Sequence, residues 1–267
     1  MFNCPVLPTM EPEPEIRRRT PHDFANEAVL ALATLTLWPI VDERAIGTSE
    51  ERARALVFTP VIGLLAGIAL GLIDRGLTPL IGTAPRSFVV ISSSSLLMLF
   101  LPWRGVADIV AALRAGSRPA STGLARIGPI GAAVAIAAFV LEVCLLSTIT
   151  EPAARTGALV MSSLLARWSI VPVAFGLKPG ERWGLGLPFE GGIEFREFAV
   201  SSVIALGLTL ALYTGLGLIV TVMLALLTLA LRFLFSRRLG GAPGFALAGA
   251  SAIVEIAVIA TIAAIAS

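Results

Sequence analysis

The run LVFTPVIGLLAGIALGLI, residues 56–73, decides the fold of this chain. It has no charged side chain over about the length that an α-helix needs to cross the hydrocarbon core of a bilayer. Gly63, Gly67 and Gly71 recur at every fourth position, and such a row of small residues lets two helices approach closely. The run therefore predicts a membrane-spanning helix with a packing face made of glycine.

Similar apolar runs recur along the rest of the chain. The other predicted spans are 88–103, 127–149, 154–175, 198–213, 218–235 and 245–266, with a tight turn at 213–217. Of the 267 residues, 56% are hydrophobic and 14% are charged, whereas soluble domains carry about a quarter charged residues. We therefore expect an all-α integral membrane protein of about seven transmembrane helices, in which residues 24–267 form a single polytopic domain.

The segment before the first span has two parts. Residues 1–23 are rich in Pro and Glu and carry Arg17, Arg18 and Arg19. No apolar run beside a small-residue cleavage site follows, so this segment predicts a disordered or surface-lying cytoplasmic arm rather than a signal peptide. Residues 24–41 are apolar but short for a span, and they predict an N-terminal interfacial helix. One histidine and two distant cysteines offer no His- or Cys-based metal site.

The cations are distributed unevenly between the two sides of the membrane. With the N-terminus in the cytoplasm, three cytoplasmic loops, 104–126, 176–197 and 236–244, receive most of the arginines beyond the N-terminal segment. Only Arg75, Arg86 and Arg155 fall outside. Because cytoplasmic loops carry an excess of Lys and Arg, this orientation is favoured, and the protein is expected in the cytoplasmic (inner) membrane with its site facing the cytoplasm. Asp74, beside Arg75, is interpreted as an interfacial charge.

Three ionisable residues fall inside predicted spans. They are Glu142, Arg167 and Glu255. A charge within the bilayer is costly and marks either a functional site or a buried ion pair that fixes helix register. Arg167 and Glu255 lie at about the same depth from the cytoplasmic side, since a helix rises about 1.5 Å per residue. We therefore predict that they form an intramembrane ion pair.

Short motifs follow one another in an order that points to a family. They include LWP at 37–39, FTPVIGLLAGIALGL at 58–72, RGVAD at 104–108, ARIGPIG at 125–131 and RRLGGAPG at 237–244, followed by Glu255. In their order and spacing, from about residue 29 onward, the chain resembles the cobalamin synthase (adenosylcobinamide-GDP ribazoletransferase) family. Members are integral membrane enzymes that join adenosylcobinamide-GDP to α-ribazole or its 5′-phosphate with release of GMP, and the resemblance implies this transferase activity here.

The resemblance also implies Mg²⁺, but this chain departs from the acidic motif that would bind it. The family motif reads approximately DGLADTxDG, and its aspartates correspond here to Arg104, Asp108 and Ala111. A further aspartate, in a downstream DSR, corresponds to residue 124, which is Leu in the run LAR. Asp108 is therefore the candidate catalytic residue and the remaining candidate metal ligand.

Three functions stay open on the sequence alone. The first is the family's transferase reaction. The second is a catalytically inactive family member that serves as a binding or assembly subunit. The candidate residues for holding a nucleotide-linked corrinoid or another anionic ligand are Arg104, Arg126, Arg167, Arg237 and Arg238. The third is a small membrane transporter whose path is lined by the intramembrane charges. The expected partners are the lipid bilayer and a second copy or a paralogue, and no nucleic acid.

Overall fold

The structure is a computed structural model and describes residues 55–115, 128–177 and 193–266. These residues form a 3₁₀ turn at Leu56–Phe58 and eight α-helices, with no strand among them. The helices are α1 Thr59–Leu77, α2 Thr83–Leu97, α3 Leu101–Ala115, α4 Pro129–Thr148, α5 Pro152–Ala174, α6 Phe195–Leu212, α7 Thr214–Leu239 and α8 Gly244–Ala266. Six are long and apolar enough to cross a membrane, and the bent pair α2–α3 raises the number to seven if it counts as one span. The predicted all-α membrane fold is confirmed.

Helix α5 lies at the centre of the bundle. Within its apolar stretch 94% of the residues are buried, against 22% for α4 and α6 and 28% for α7. Helices α1 and α8 pack along it. The exposed side chains of the outer helices are large and apolar, as on a surface that faces lipid; Val140, Leu206 and Leu226 are examples. A polar side chain on α5 therefore meets other helices rather than lipid.

Helices α1 and α5 pack through the glycines of the first span. A Cβ atom on Gly63 would lie 2.5 Å from the carbonyl oxygen of Ser163, and one on Gly67 would lie 2.6 Å from Cα of Val160. Residue numbers rise along α1 as they fall along α5, so the two helices are antiparallel. Since the neighbouring atoms belong to backbone, a larger side chain has no room, and the predicted glycine packing face is confirmed.

Residues 88–103, which were predicted as one span, do not form one continuous helix. Helix α2 ends at Leu97, α3 begins at Leu101, and the two helices are bent by 80°. Leu99 and Phe100 take left-handed φ angles of +46° and +56°, which are uncommon for residues other than glycine. The backbone N–H of Phe100 donates to the backbone oxygen of Ser95 at 2.8 Å. The indole N–H of Trp103 donates to the hydroxyl of Ser95, also at 2.8 Å. This bend turns the first part of the predicted loop 104–126 into helix α3.

Of two further boundaries, the end of α7 differs from the prediction and the turn between α6 and α7 agrees with it. Helix α7 runs to Leu239, so the predicted loop 236–244 shrinks to residues 240–243, and Gly240 ends the helix with φ of +70°. The predicted tight turn is confirmed, because only Tyr213 separates α6 from α7. Several predicted features lie outside the described residues: the N-terminal arm 1–23, the interfacial helix 24–41, Arg126 and most of the loop 176–197.

The two ends of the bundle differ in charge. We call "basic end" the end at which α1 begins and α5 ends; its described arginines are Arg104, Arg114, Arg196, Arg232, Arg237 and Arg238. The opposite end carries Arg75, Arg86 and Arg155. The helices alternate in direction between these two ends, as a multi-pass membrane protein requires.

Glu151 caps helix α5, and this contact should depend on pH. Its carboxylate accepts hydrogen bonds from the backbone N–H groups of Ala153, at 3.0 Å, and Ala154. These two donors hold the pKa of Glu151 below its ordinary value. The cap therefore contributes stability above the ordinary carboxyl pKa and loses it as the pH falls through the lowered one. We expect Glu151→Gln to lower Tm modestly at pH 7 and hardly at all near pH 3. Thermal unfolding of both proteins across this range checks this, and a pH-independent difference would contradict it.

Candidate functional site at the basic end

Helix α3 carries the candidate catalytic residue across the basic end. Its apolar side, with Val106, Ala107 and Ile109, is buried against the bundle. On the more open side, Nε of Arg104 lies 3.6 Å from Oδ2 of Asp108, and each side chain is 21% exposed. The two residues are one turn apart, which places them on the same face of the helix. Asp108, the one aspartate that remains in the segment corresponding to the family's acidic motif, is thus already paired with the guanidinium group of Arg104.

Two close glycine contacts hold α3 in this place. A Cβ on Gly105 would lie 2.5 Å from the backbone oxygen of Phe245, at the start of α8, and a Cβ on Gly131 of α4 would lie 2.8 Å from the backbone oxygen of Ala107. The backbones of α3, α4 and α8 therefore touch directly. Ser251 and Glu255 follow on α8 within about three turns of the Phe245 contact. The contact of α3 with Phe245 therefore lies about 9 Å from Ser251 and about 15 Å from Glu255 along the axis of α8.

Glu142, Arg167 and Glu255 lie together inside the bundle. Their side chains come from α4, α5 and α8, are 1%, 3% and 6% exposed, and interact electrostatically. The predicted ion pair between Arg167 and Glu255 is wrong, since no contact of 4.0 Å or less joins them in the part of the chain that the structure describes. Nη1 of Arg167 instead donates to Oγ of Ser251 at 3.5 Å. The guanidinium points one turn short of Glu255, because Ser251 precedes it on the same face of α8.

A buried ion-pair network occupies the opposite end, and it corrects the interpretation of Asp74. This carboxylate is 3% exposed and accepts from Nε of Arg155 at 2.8 and 3.0 Å, while Nε of Arg86 lies 3.3 Å away. Arg155 is fully buried and also donates to the backbone oxygen of Leu146 at 2.6 Å and to Oγ of Ser87 at 2.8 Å. Asp74 is therefore a buried structural charge. The sequence contained a signal for this network, because Arg86 and Arg155 lie on the side of the membrane where the positive-inside rule predicts few arginines.

The arginines at the end of α7 are more open than those inside the bundle. Arg237 and Arg238 are exposed, and the guanidinium of Arg237 lies 4.2 Å from the ring centroid of Phe233. One turn earlier, Arg232 lies 5.5 Å from the ring centroid of Phe175. None of the three takes part in an ion pair with a described carboxylate. Because a guanidinium matches the geometry of phosphate oxygens, these side chains can bind an anion at the basic end.

The described residues do not fit the Mg²⁺ site that the resemblance implies. Within the described ranges, no three side chains of Asp, Glu, His or Cys are grouped so that they could hold a metal ion. Mg²⁺ needs an octahedron of oxygen ligands, usually including one or two carboxylates. Asp108 is paired with Arg104, and the two interior glutamates lie beside Arg167.

Comparisons with known proteins agree on one family. The profile of the cobalamin-5-phosphate synthase family matches residues 27–264. The chain is 28% identical over 222 residues to the adenosylcobinamide-GDP ribazoletransferase of Geotalea daltonii, covering 81% of this chain and 88% of the relative. Proteins of the same name from Roseiflexus sp. (strain RS-1) and Syntrophobacter fumaroxidans are 26% and 28% identical, with 87% and 85% of this chain covered and 87% and 93% of the relatives. No solved structure gives a significant match. The chain therefore belongs to the cobalamin-5-phosphate synthase family.

Proposed function

We propose that this chain acts at the ribazoletransferase step of cobalamin synthesis. The match of the family profile over residues 27–264 carries the proposal, together with relatives that bear the name of this enzyme. In the reaction, a hydroxyl of α-ribazole or its 5′-phosphate attacks a phosphorus of adenosylcobinamide-GDP. A new oxygen–phosphorus bond forms, the bond from that phosphorus to the GMP oxygen breaks, and GMP leaves with the electron pair.

The basic end supplies the groups that this reaction needs from the chain. In our proposal this end faces the cytoplasm in the inner membrane, where the positive-inside rule puts it. Arg104, Arg237 and Arg238 bind the diphosphate through charge-assisted hydrogen bonds. Asp108, beside Arg104, accepts the proton of the attacking hydroxyl. The three arginines also offset the negative charge that grows on the departing GMP.

Growth of a cobalamin-dependent strain tests the proposal. The strain lacks its own cobalamin synthase and receives cobinamide and the lower-ligand base, so that growth requires the transferase step. We expect the wild-type chain to restore growth, Asp108→Ala to abolish it, and Arg104→Gln to slow GMP release by membranes about 10- to 100-fold, because a contact to developing charge is lost.

Arg75→Gln is the matched control for Arg104→Gln. It removes the same charge at the opposite end, where Arg75 is exposed and its Nε donates to Thr156 at 3.2 Å. This variant should grow like the wild type. If the wild-type chain is present in the membrane at normal levels and does not restore growth, the proposed activity is overturned. Unchanged growth of Asp108→Ala would remove that residue from the mechanism.

A further inference from the structure

When both of its carboxylates are ionised, the interior cluster of Glu142, Arg167 and Glu255 has one negative charge more than it has positive charges. It joins two carboxylates to one guanidinium, all at least nine-tenths buried. The network at the opposite end is unbalanced in the other direction, since the single carboxylate of Asp74 lies beside Arg86 and Arg155. A charge inside a bilayer protein requires a compensating partner, because transfer out of water is costly. The ionised cluster lacks one positive charge.

Several polar atoms of this cluster also lack a hydrogen-bond partner. Both carboxylate oxygens of Glu142 are buried and accept no hydrogen bond, and Nε of Arg167 donates none. Fully buried Arg155, by comparison, donates from all three of its nitrogens. Buried polar atoms are satisfied in the great majority of cases, so each exception requires a physical cause. At Glu142 the unmatched atoms are two acceptors and no donor.

Two serine hydroxyl groups lie against the cluster. Ser94 on α2 faces the carboxylate of Glu255. Ser163 lies one turn before Arg167 on α5, and its buried hydroxyl has no hydrogen-bond partner. Ser251 on α8 accepts from Arg167. Among the described residues, the charges that interact with Glu142 are Arg167 and Glu255. Glu142, Glu255 and the hydroxyls of Ser94 and Ser251 thus offer oxygen atoms, which are the ligands that hard cations prefer.

We propose that Glu142 and Glu255 hold a monovalent metal cation inside the bundle. One such ion brings the sum of charges to zero, whereas a divalent ion would leave an excess positive charge beside Arg167. The two carboxylates repel a phosphate group at this position. Arg167 therefore belongs to the interior cluster and does not bind the anion at the basic end. The cation ties α4 to α8 through two acidic residues that otherwise repel each other.

Thermal unfolding of the purified full-length protein tests the proposal, with Na⁺ as the probe. Tm is measured in detergent at pH 8 and constant ionic strength, in NaCl and in N-methylglucamine chloride. We expect Na⁺ to raise Tm by about 5 °C at saturation, because an ion that binds only the native state stabilises it. Equilibrium binding of ²²Na⁺ should saturate at about one ion per chain. Equal Tm values in both salts, with no saturable binding, overturn the proposal.

Two variants distinguish a bound metal ion from a bound proton. Glu142→Gln removes one charge, so it should lose the response to Na⁺ and have in N-methylglucamine a Tm close to that of the wild type in NaCl; Glu255→Gln provides the same test if Glu142→Gln does not fold. Glu151→Gln, at the exposed cap of α5, should keep the full response. If lower pH stabilises the wild type while Na⁺ has no effect, a proton supplies the missing charge and the proposal is wrong. These measurements require no transferase activity and are independent of the proposed function.

Discussion

Arg155→Met is expected to lower the free energy of unfolding by about 3–5 kcal/mol, the usual cost of removing one partner from a buried ion pair. The methionine fills much of the volume, but Asp74 loses the Nε–H of Arg155, which its two oxygens share at 2.8 and 3.0 Å. The backbone oxygen of Leu146 and the hydroxyl of Ser87 each lose the hydrogen bond that Arg155 donates. Unfolding by denaturant in detergent, monitored by tryptophan fluorescence, measures the change.

Arg75→Met is the control for this substitution. Arg75 lies at the same end of the bundle and is exposed, and among the described residues its side chain donates one hydrogen bond, to Thr156. Substitutions at such exposed positions usually change stability by about 0.5 kcal/mol or less. Similar losses in the two variants would show that the network around Asp74 does not stabilise the fold, and that Arg155 matters only for orientation during insertion.

Gly67→Val should cost about 3 kcal/mol or more, because it forces α1 away from α5. A Cβ at this position would lie 2.6 Å from Cα of Val160 and 2.9 Å from the backbone oxygen of Leu159. Neither atom belongs to a flexible side chain, so the clash must be relieved by moving a whole helix, and overpacking on that scale is costly. We expect a large fall in Tm and a reduced yield of folded protein from the membrane.

Gly76→Val provides the comparison on the same helix. Nothing lies within 4 Å of a Cβ built at Gly76. Both substitutions replace a helical glycine with the same β-branched residue, so the change in helix propensity cancels between them. Gly76→Val should keep a Tm close to that of the wild type. If the two variants melt together, close contact of α1 and α5 is not what stabilises the centre of the bundle.

The sequence predicted those features of the fold that depend on length and spacing. Long apolar runs located the spans, and the four-residue spacing of Gly63, Gly67 and Gly71 located a packing face. The bend between α2 and α3 could not be predicted, because Leu99 and Phe100 are not turn residues. Their left-handed backbone is held by contacts to Ser95 that arise only in the folded chain.

The candidate site was predictable to the same extent. Arg104 and Asp108 share a helix face because they are four residues apart. The proximity of Arg167 and Glu255 was predictable because the two residues lie at a similar depth in the membrane. Whether those two side chains touch depends on rotamers and on a third group, Glu142, which lies on another helix. The burial of Asp74 was missed because its position at a span end is typical of a solvated charge. Its partners were visible only as the arginines that violate the positive-inside rule.

The central position of α5 has a consequence for how the protein enters the membrane. This helix is the least apolar of the six candidate spans and carries Arg155 and Arg167, so it partitions poorly into lipid by itself. Asp74 leaves the ribosome before Arg155, whereas Ser251 and Glu255 follow Arg167 by more than 80 residues. One arginine therefore meets its counter-charge as soon as α5 is inserted. The other, Arg167, meets Glu142 of α4 at the same stage, but Ser251 and Glu255 join it only when α8 packs against α5.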